Sequence, residues 1–274
     1  MTATLLKHEW LRTRGLLGAL AGIGLLVTAL GMALGASGWP GLSQLGLVIG
    51  AVAIAAFAPG LQLVLAADYY RSSYARTGYF THSLPIRGGR IYAAKLTWAT
   101  VVTIAALLVT VVLAGIFWQV AATTLELERD VLTVVADLWE TLSAVASPGM
   151  LAIGVLAFLA MYLMWPIQYF FAVSIGAERP LSGWGLGGPV LAFVVLYLVG
   201  QVLSLAGMFV FPIGIGTVDG SLGVTSYSLI EQMRLGETRT TDIMPIGFLP
   251  ALLLLTAVCL WRTVRSWNHK ISLV

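Results

Sequence analysis

Cysteine is all but absent from this sequence. Cys259 stands alone inside an apolar run, which leaves no disulfide framework and no cysteine-based metal site. Charge is scarce too: Asp, Glu, Lys and Arg make up 10% of the residues, against 59% hydrophobic residues and a mean hydropathy of +0.93. A soluble chain of 274 residues does not need that much apolar side chain for its core, so the composition specifies an integral membrane protein. Lysine occurs only at Lys7, Lys95 and Lys270, and none of them completes G-x-x-x-x-G-K-[ST], so this chain has no nucleotide-binding P-loop of its own. H-E-x-x-H and G-x-S-x-G are also missing, and His8, His82 and His269 fall in three separate segments, which argues against a zinc site and against a serine nucleophile. The apolar runs carry no clear acid or base at mid-depth. An intramembrane hydrolase or an ion-coupled carrier would need one, because charge inside a bilayer is costly and is kept for function. The net charge of +3 does not point to nucleic acid, because the basic residues are segregated by loop rather than gathered on one face.

What is present is long apolar runs. The spacing predicts an all-α polytopic protein with six transmembrane helices at about 15–36, 42–67, 91–120, 150–175, 189–211 and 245–261. Ahead of the first span, Thr4 to Arg14 reads as a short amphipathic helix in the interface plane, with Leu5, Leu6, Trp10 and Leu11 on one side. Gly18/Gly22 and Gly31/Gly35 in the first span have the small-xxx-small spacing that lets helix backbones approach closely. Pro59-Gly60 is expected to kink the second span. After the third span, 121–147 turns acidic, and Val131, Val135, Leu138, Leu142 and Val145 recur at helical spacing. This predicts an external amphipathic helix that covers an outer mouth or binds a partner, the alternative being a face simply packed on the membrane surface. Between the last two spans, 212–244 is rich in Gly, Ser and Thr; it allows a re-entrant start at Phe211 to Gly216 and a short helix at SYSLIEQM. A basic tail, 262–274, closes the chain.

Charge orients the spans. With both termini inside, twelve of the fifteen Lys/Arg residues are cytoplasmic, while Arg129, Arg234 and Arg239 lie outside. That distribution predicts a multi-pass protein of the cytoplasmic (inner) membrane. The largest basic connection is 68–90, followed by Lys95; its single acid, Asp68, lies at its edge. It concentrates Tyr69, Tyr70, Tyr74, Tyr79 and Phe80 with Arg71, Arg76, Arg87 and Arg90, a composition suited to a protein interface. Pro85 and Gly88-Gly89 predict a helix, an elbow and then the third span. An aromatic loop held at the membrane by anionic lipid is the competing reading. Inside the spans, Gln62, Gln119, Gln168 and Gln201 remain; they serve either as hydrogen bonds between helices or, for Gln62, Gln168 and Gln201, as part of a substrate path.

The stretch RTGYFTHSLPIRGGRIYAAKL, Arg76 to Leu96, resembles the first cytoplasmic loop of the type-2 ABC exporter permeases. The matching positions are Gly78, Ser83, Leu84, Pro85, Ile86, Arg87, Arg90 and Lys95; Ala94 stands where the family usually has Gly, and the outer segment 121–147 departs from its commonest pattern. The resemblance implies a transmembrane permease subunit of an ATP-driven exporter that moves a hydrophobic or amphipathic substrate such as a lipid, drug, peptide or polymer. It also implies a coupling helix between spans two and three. Its partners would be two separate P-loop ATPase subunits, which carry the ATP and Mg, and a second permease copy or paralogue in the lipid bilayer. The ATPase contact would then comprise Tyr69, Tyr70, Tyr74, Arg76, Gly78, Tyr79, Phe80, Leu84, Pro85 and Arg87. An ATP-independent carrier or a membrane scaffold is the alternative function.

Overall fold

Apolar runs of this length become helices because hydrocarbon offers no partner for a backbone N–H or C=O, and the helix satisfies both internally. The computed structural model describes residues 2–75, 78–83, 85–127, 130–218, 220–235 and 243–269. Six helices among them are long and apolar enough to cross a membrane: α1 (Thr2–Gly35), α2 (Leu42–Ser73), α4 (Gly88–Thr124), α6 (Pro148–Gly176), α7 (Gly187–Val210) and α9 (Phe248–His269). This is the architecture of a multi-pass membrane protein. Short helices α3 (Gly78–His82), α5 (Val131–Val145) and α8 (Leu229–Leu235), a 3-10 turn at Leu181–Trp184 and the strands β1 (Ile213–Val218), β2 (Ser221–Ser226) and β3 (Ile243–Pro245) complete the order. The chain forms two compact units, with the boundary between Leu138 and Trp139 inside α5.

In the first unit α1, α2 and α4 pack mutually. No break separates an interfacial helix from the first span, since α1 runs continuously from Thr2 through Gly35. Its 34 residues make it roughly 51 Å long at about 1.5 Å per residue. A bilayer core of about 30 Å therefore leaves several turns outside, and the 32 residues of α2 and 37 of α4 overrun it likewise. Two glycine pairs bring α1 and α2 together. A Cβ on Gly31 would stand 2.5 Å from the Gly50 nitrogen, and one on Gly46 would stand 2.6 Å from the Leu34 Cβ and collide with the Gly35 nitrogen. Gly18 and Gly22 have no neighbour within 4 Å of such a Cβ, so of the two small-residue pairs in α1 only Gly31/Gly35 lies at this crossing. At the end of the unit away from α3, the Gly35 carbonyl accepts from Ser43 Oγ of α2 and, at 3.0 Å, from Thr124 Oγ1 of α4. α2 runs on through Pro59 and does not stop at Ala67; its last turns carry Asp68 to Ser73.

In the second unit α6, α7 and α9 pack mutually. Ser147 caps α6, its Oγ accepting from Met150 N at 3.3 Å, and Pro148 sits where a helix start tolerates a missing N–H. The segment after α7 adds a small sheet to an otherwise helical chain, with Ile213 to Gly216 of the proposed re-entrant start lying in β1. The sheet is antiparallel and ordered β2-β1-β3, registered with Val218 opposite Ser221 and Gly214 opposite Pro245. Strands win here because a sheet pairs its backbone groups without a long apolar run. α8 covers part of SYSLIEQM. The first part of the basic tail is helical: α9 continues to His269, with Thr263, Ser266 and Trp267 buried. Arg262 pairs with Glu178 through two bonds, Nη1 to Oε1 at 3.2 Å and Nη2 to Oε2 at 2.7 Å, and Ser266 Oγ adds a third to Oε1 at 2.5 Å. That fork of charge-assisted bonds ties the end of α9 to the residues just after α6. Residues 270–274 lie outside the described residues.

α5 begins after Asp130, whose Oδ1 accepts from Thr133 N at 2.8 Å and from the Thr133 hydroxyl. The hydroxyl and then the backbone bond hold this exposed carboxyl below the usual carboxylate range. No residue of α5 is buried.

Candidate functional site

The stretch 68–95 forms a built corner at one end of the first unit. α2 carries Asp68 to Ser73, and the chain then turns with Tyr74 N and Ala75 N both donating to Tyr70 O, at 2.9 and 3.1 Å. α3 follows at once. Gly78 at its start lies so close to α2 that a Cβ there would stand 2.6 Å from the Ser73 carbonyl oxygen, which explains a glycine at this position. Thr81 Oγ1 of α3 donates to Ser72 O at 2.7 Å and fastens the short helix to the end of α2. The turn through Pro85 and Arg87 then leads into α4, so Gly88-Gly89 forms the first turn of a helix rather than a slack elbow.

Beneath α3 lies a group of four charges that the sequence reading did not assemble. Lys95 of α4 is 3% exposed; its Nζ donates to Ser72 Oγ at 2.9 Å and stands 3.1 Å from Glu9 Oε1. Arg12, one turn after Glu9 on α1, pairs with Glu9 and reaches Asp68 Oδ2 of α2 at 2.6 Å. Two acids and two bases, supplied by three helices, thus neutralise one another where each helix emerges from its apolar stretch. Beside them Trp98 Nε1 donates to Thr13 Oγ1 at 2.9 Å, and Trp10 stands edge-on to Trp98 with ring centroids 5.5 Å apart. The first turns of α1 are therefore clasped by α2 and α4. The signal for this was present in the sequence as Glu9 and Arg12 at i, i+3 and as a lone acid, Asp68, at the edge of a basic stretch.

The predicted contact residues separate by exposure. Tyr69 is 1% exposed, with its ring set edge-on to Tyr74 at 5.8 Å and to Tyr92 at 6.4 Å between centroids, so it packs the corner and has no surface left for a partner. Tyr70 and Tyr74 are half-buried, and Gly78 is buried. Tyr79, at 64%, together with Pro85, Arg87 and Arg90, is exposed. Arg76 and Leu84 lie outside the described residues, as does the side chain of Phe80.

Of the candidate substrate-path residues, Gln62 lies in the first unit and Gln168 and Gln201 lie in the second. Gln62 is buried and donates through Nε2 to Thr103 Oγ1 of α4 at 3.3 Å. Gln168 donates to Thr256 Oγ1 of α9 at 3.2 Å, Gln201 is exposed on α7, and Gln119 Oε1 accepts from Val131 N at 3.4 Å. The first two therefore make the helix-to-helix bonds of the plainer reading. The second unit also carries two apolar grooves, of about 520 and 410 Å³, which share Leu255 and Val258 along α7 and α9. Among the described residues no group of His, Cys, Asp and Glu is placed to hold a metal ion. No family model, curated protein or solved structure matches this chain.

Proposed function

We propose that this chain is the membrane-spanning subunit of an ATP-driven exporter for a hydrophobic or amphipathic substrate, worked by separate P-loop ATPase subunits that hold the ATP and Mg and paired with a second permease copy or paralogue. The observation that carries the reading is the corner itself. α3 is fastened through Thr81 to Ser72, which also takes a bond from Lys95 of the four-charge clasp, and α4 begins a few residues after α3, while Tyr79 of α3 and Pro85, Arg87 and Arg90 after it are exposed. Such a surface suits a protein partner, since exposed aromatics and arginines supply most of the binding energy at interfaces. A push received there would pass to α2 through the Thr81 bond and to α4 a few residues further on. The resemblance of Arg76 to Leu96 to the coupling loop of type-2 ABC exporter permeases supports the same assignment.

Gentle extraction is expected to bring a P-loop ATPase with the chain. Tyr79→Ala and Arg87→Glu should each weaken that association by about 1–2 kcal/mol, roughly 5- to 30-fold, while leaving insertion and size-exclusion behaviour intact. An ATPase absent from the extract, or two variants that both retain it together with coupled transport, would favour an ATP-independent carrier or a scaffold.

The same reading places both termini and α3 in the cytoplasm. In a Cys259→Ser background, a cysteine at exposed Ser143 should react with an impermeant thiol reagent in intact cells, and one at exposed Arg87 only after permeabilisation. Ser73 is unsuitable for the inner position, because it is fully buried and would be silent on either side. The opposite labelling pattern would sink the orientation.

A further inference from the structure

α5 has an apolar face that the described residues leave largely exposed. At about 3.6 residues per turn, Val131, Leu132, Val134, Val135, Leu138, Trp139, Leu142 and Val145 occupy one arc of roughly 160°, and all the remaining positions are polar or alanine. Leu132 is 74% exposed and Trp139 65%, with Val135, Leu138 and Leu142 exposed beside them. An isolated helix of this kind in water would be unstable, so something covers that face.

Three observations choose the cover. First, both ends of α5 are anchored at the level where spans end. Val131 N donates to Gln119 Oε1 in the last turns of α4, and Ala146, immediately after α5, is bridged to Leu222 of β2, next to the start of α6. Second, the connections are short, 125–130 before the helix and 146–147 after it, so α5 cannot rise far from the membrane boundary. Third, the polar arc carries Asp137 and Glu140 and no Lys or Arg, so attraction to anionic headgroups contributes nothing and the apolar arc has to hold the helix. We infer that α5 docks its apolar face, through Leu132, Val135, Leu138, Trp139 and Leu142, into the headgroup boundary of the bilayer that its neighbouring helices cross, and that it binds neutral or zwitterionic lipid. Trp139 suits that depth, because an indole sits at the boundary with its ring in hydrocarbon and its N–H toward water. This inference does not rest on the exporter reading.

The test uses the full-length chain in phosphatidylcholine vesicles, in a Cys259→Ser background, with a nitroxide at a cysteine introduced for Leu132, Leu138 or Leu142, or for Glu140 or Ser143. All five positions are exposed, so the label meets no packed core. Relaxation by oxygen, which concentrates in the acyl region, is expected to exceed relaxation by a water-soluble nickel chelate at the three apolar positions, with the order inverted at the two polar ones. The inversion should persist without anionic lipid. Equal access of nickel to both faces would overturn the inference by showing no lipid contact. Apolar-face labels shielded from both reagents would overturn it in favour of a protein cover, either a second copy or another chain. A pattern that appears only when anionic lipid is added would refute the charge argument.

Discussion

Replacing Lys95 with methionine is expected to destabilise the protein by about 3–5 kcal/mol, nearer the lower figure because Arg12 and Glu9 keep some contact with water. The ammonium lies between Glu9 Oε1 and Ser72 Oγ, and at 3% exposure it has no water to replace those partners. Removing it leaves two acids facing Arg12 alone, an uncompensated negative charge close to the apolar spans. The double variant Glu9→Gln with Lys95→Met removes one charge of each sign and keeps the Arg12–Asp68 pair, so it should recover much of the loss. Thermal unfolding in detergent, followed by size exclusion, measures both. A Lys95→Met protein that unfolds with the wild type would mean that the clasp contributes nothing to stability. The clasp also reaches α3, because Lys95 bonds the Ser72 hydroxyl and Thr81 of α3 bonds the Ser72 carbonyl.

A leucine at Gly46 is expected to prevent the close approach of α1 and α2. The collision there is with the Gly35 backbone and the Leu34 Cβ, neither of which is the yielding tip of a side chain. Overpacking costs about 1–3 kcal/mol where neighbours can shift, and this site belongs at or above the top of that range. Gly22→Leu should leave the folded protein unchanged, because nothing stands within 4 Å of that position. Comparing the yield of monodisperse protein for the two variants decides the point. Equal yields would remove Gly46 from the helix crossing, while a loss confined to Gly22 would put another chain against that face of α1.

The contrast between these two glycines shows where sequence stops being informative. Gly18/Gly22 and Gly31/Gly35 have the same spacing in the same apolar run, and only the partner helix, with Gly46 and Gly50 at its own spacing, distinguishes them. The spans themselves were legible because length and hydropathy are properties of a continuous run. Their ends were less so. Asp68 to Ser73 looks like loop by composition, yet it continues α2 because the helix finds partners beyond the membrane in Lys95, Arg12 and Tyr92. The same holds for Arg262 to His269, which reads as a polar tail until Glu178 appears opposite Arg262. The hairpin of β1 and β2 was within reach. Asp219-Gly220 stands between two six-residue strands, and Asp-Gly is a strong two-residue hairpin signal, but the glycines of IGIG drew attention to broken backbone instead. For the site, sequence found the stretch and its aromatics. It had no means of ranking them, since Tyr69 and Tyr79 are chemically alike and differ only in which way the corner turns them.

The shared carbonyl of Gly35 has a mechanical consequence. One end of the first unit is held by that oxygen, which binds α2 and α4 together; the other end is held by the four charges, and the interior is interlocked where Gly31 meets Gly50. Sliding α1 along α2 would break all three at once. Shear between packed helices is one of the two common modes of protein motion, and these contacts raise its cost here. Tilting of the three helices as one body keeps all three contacts.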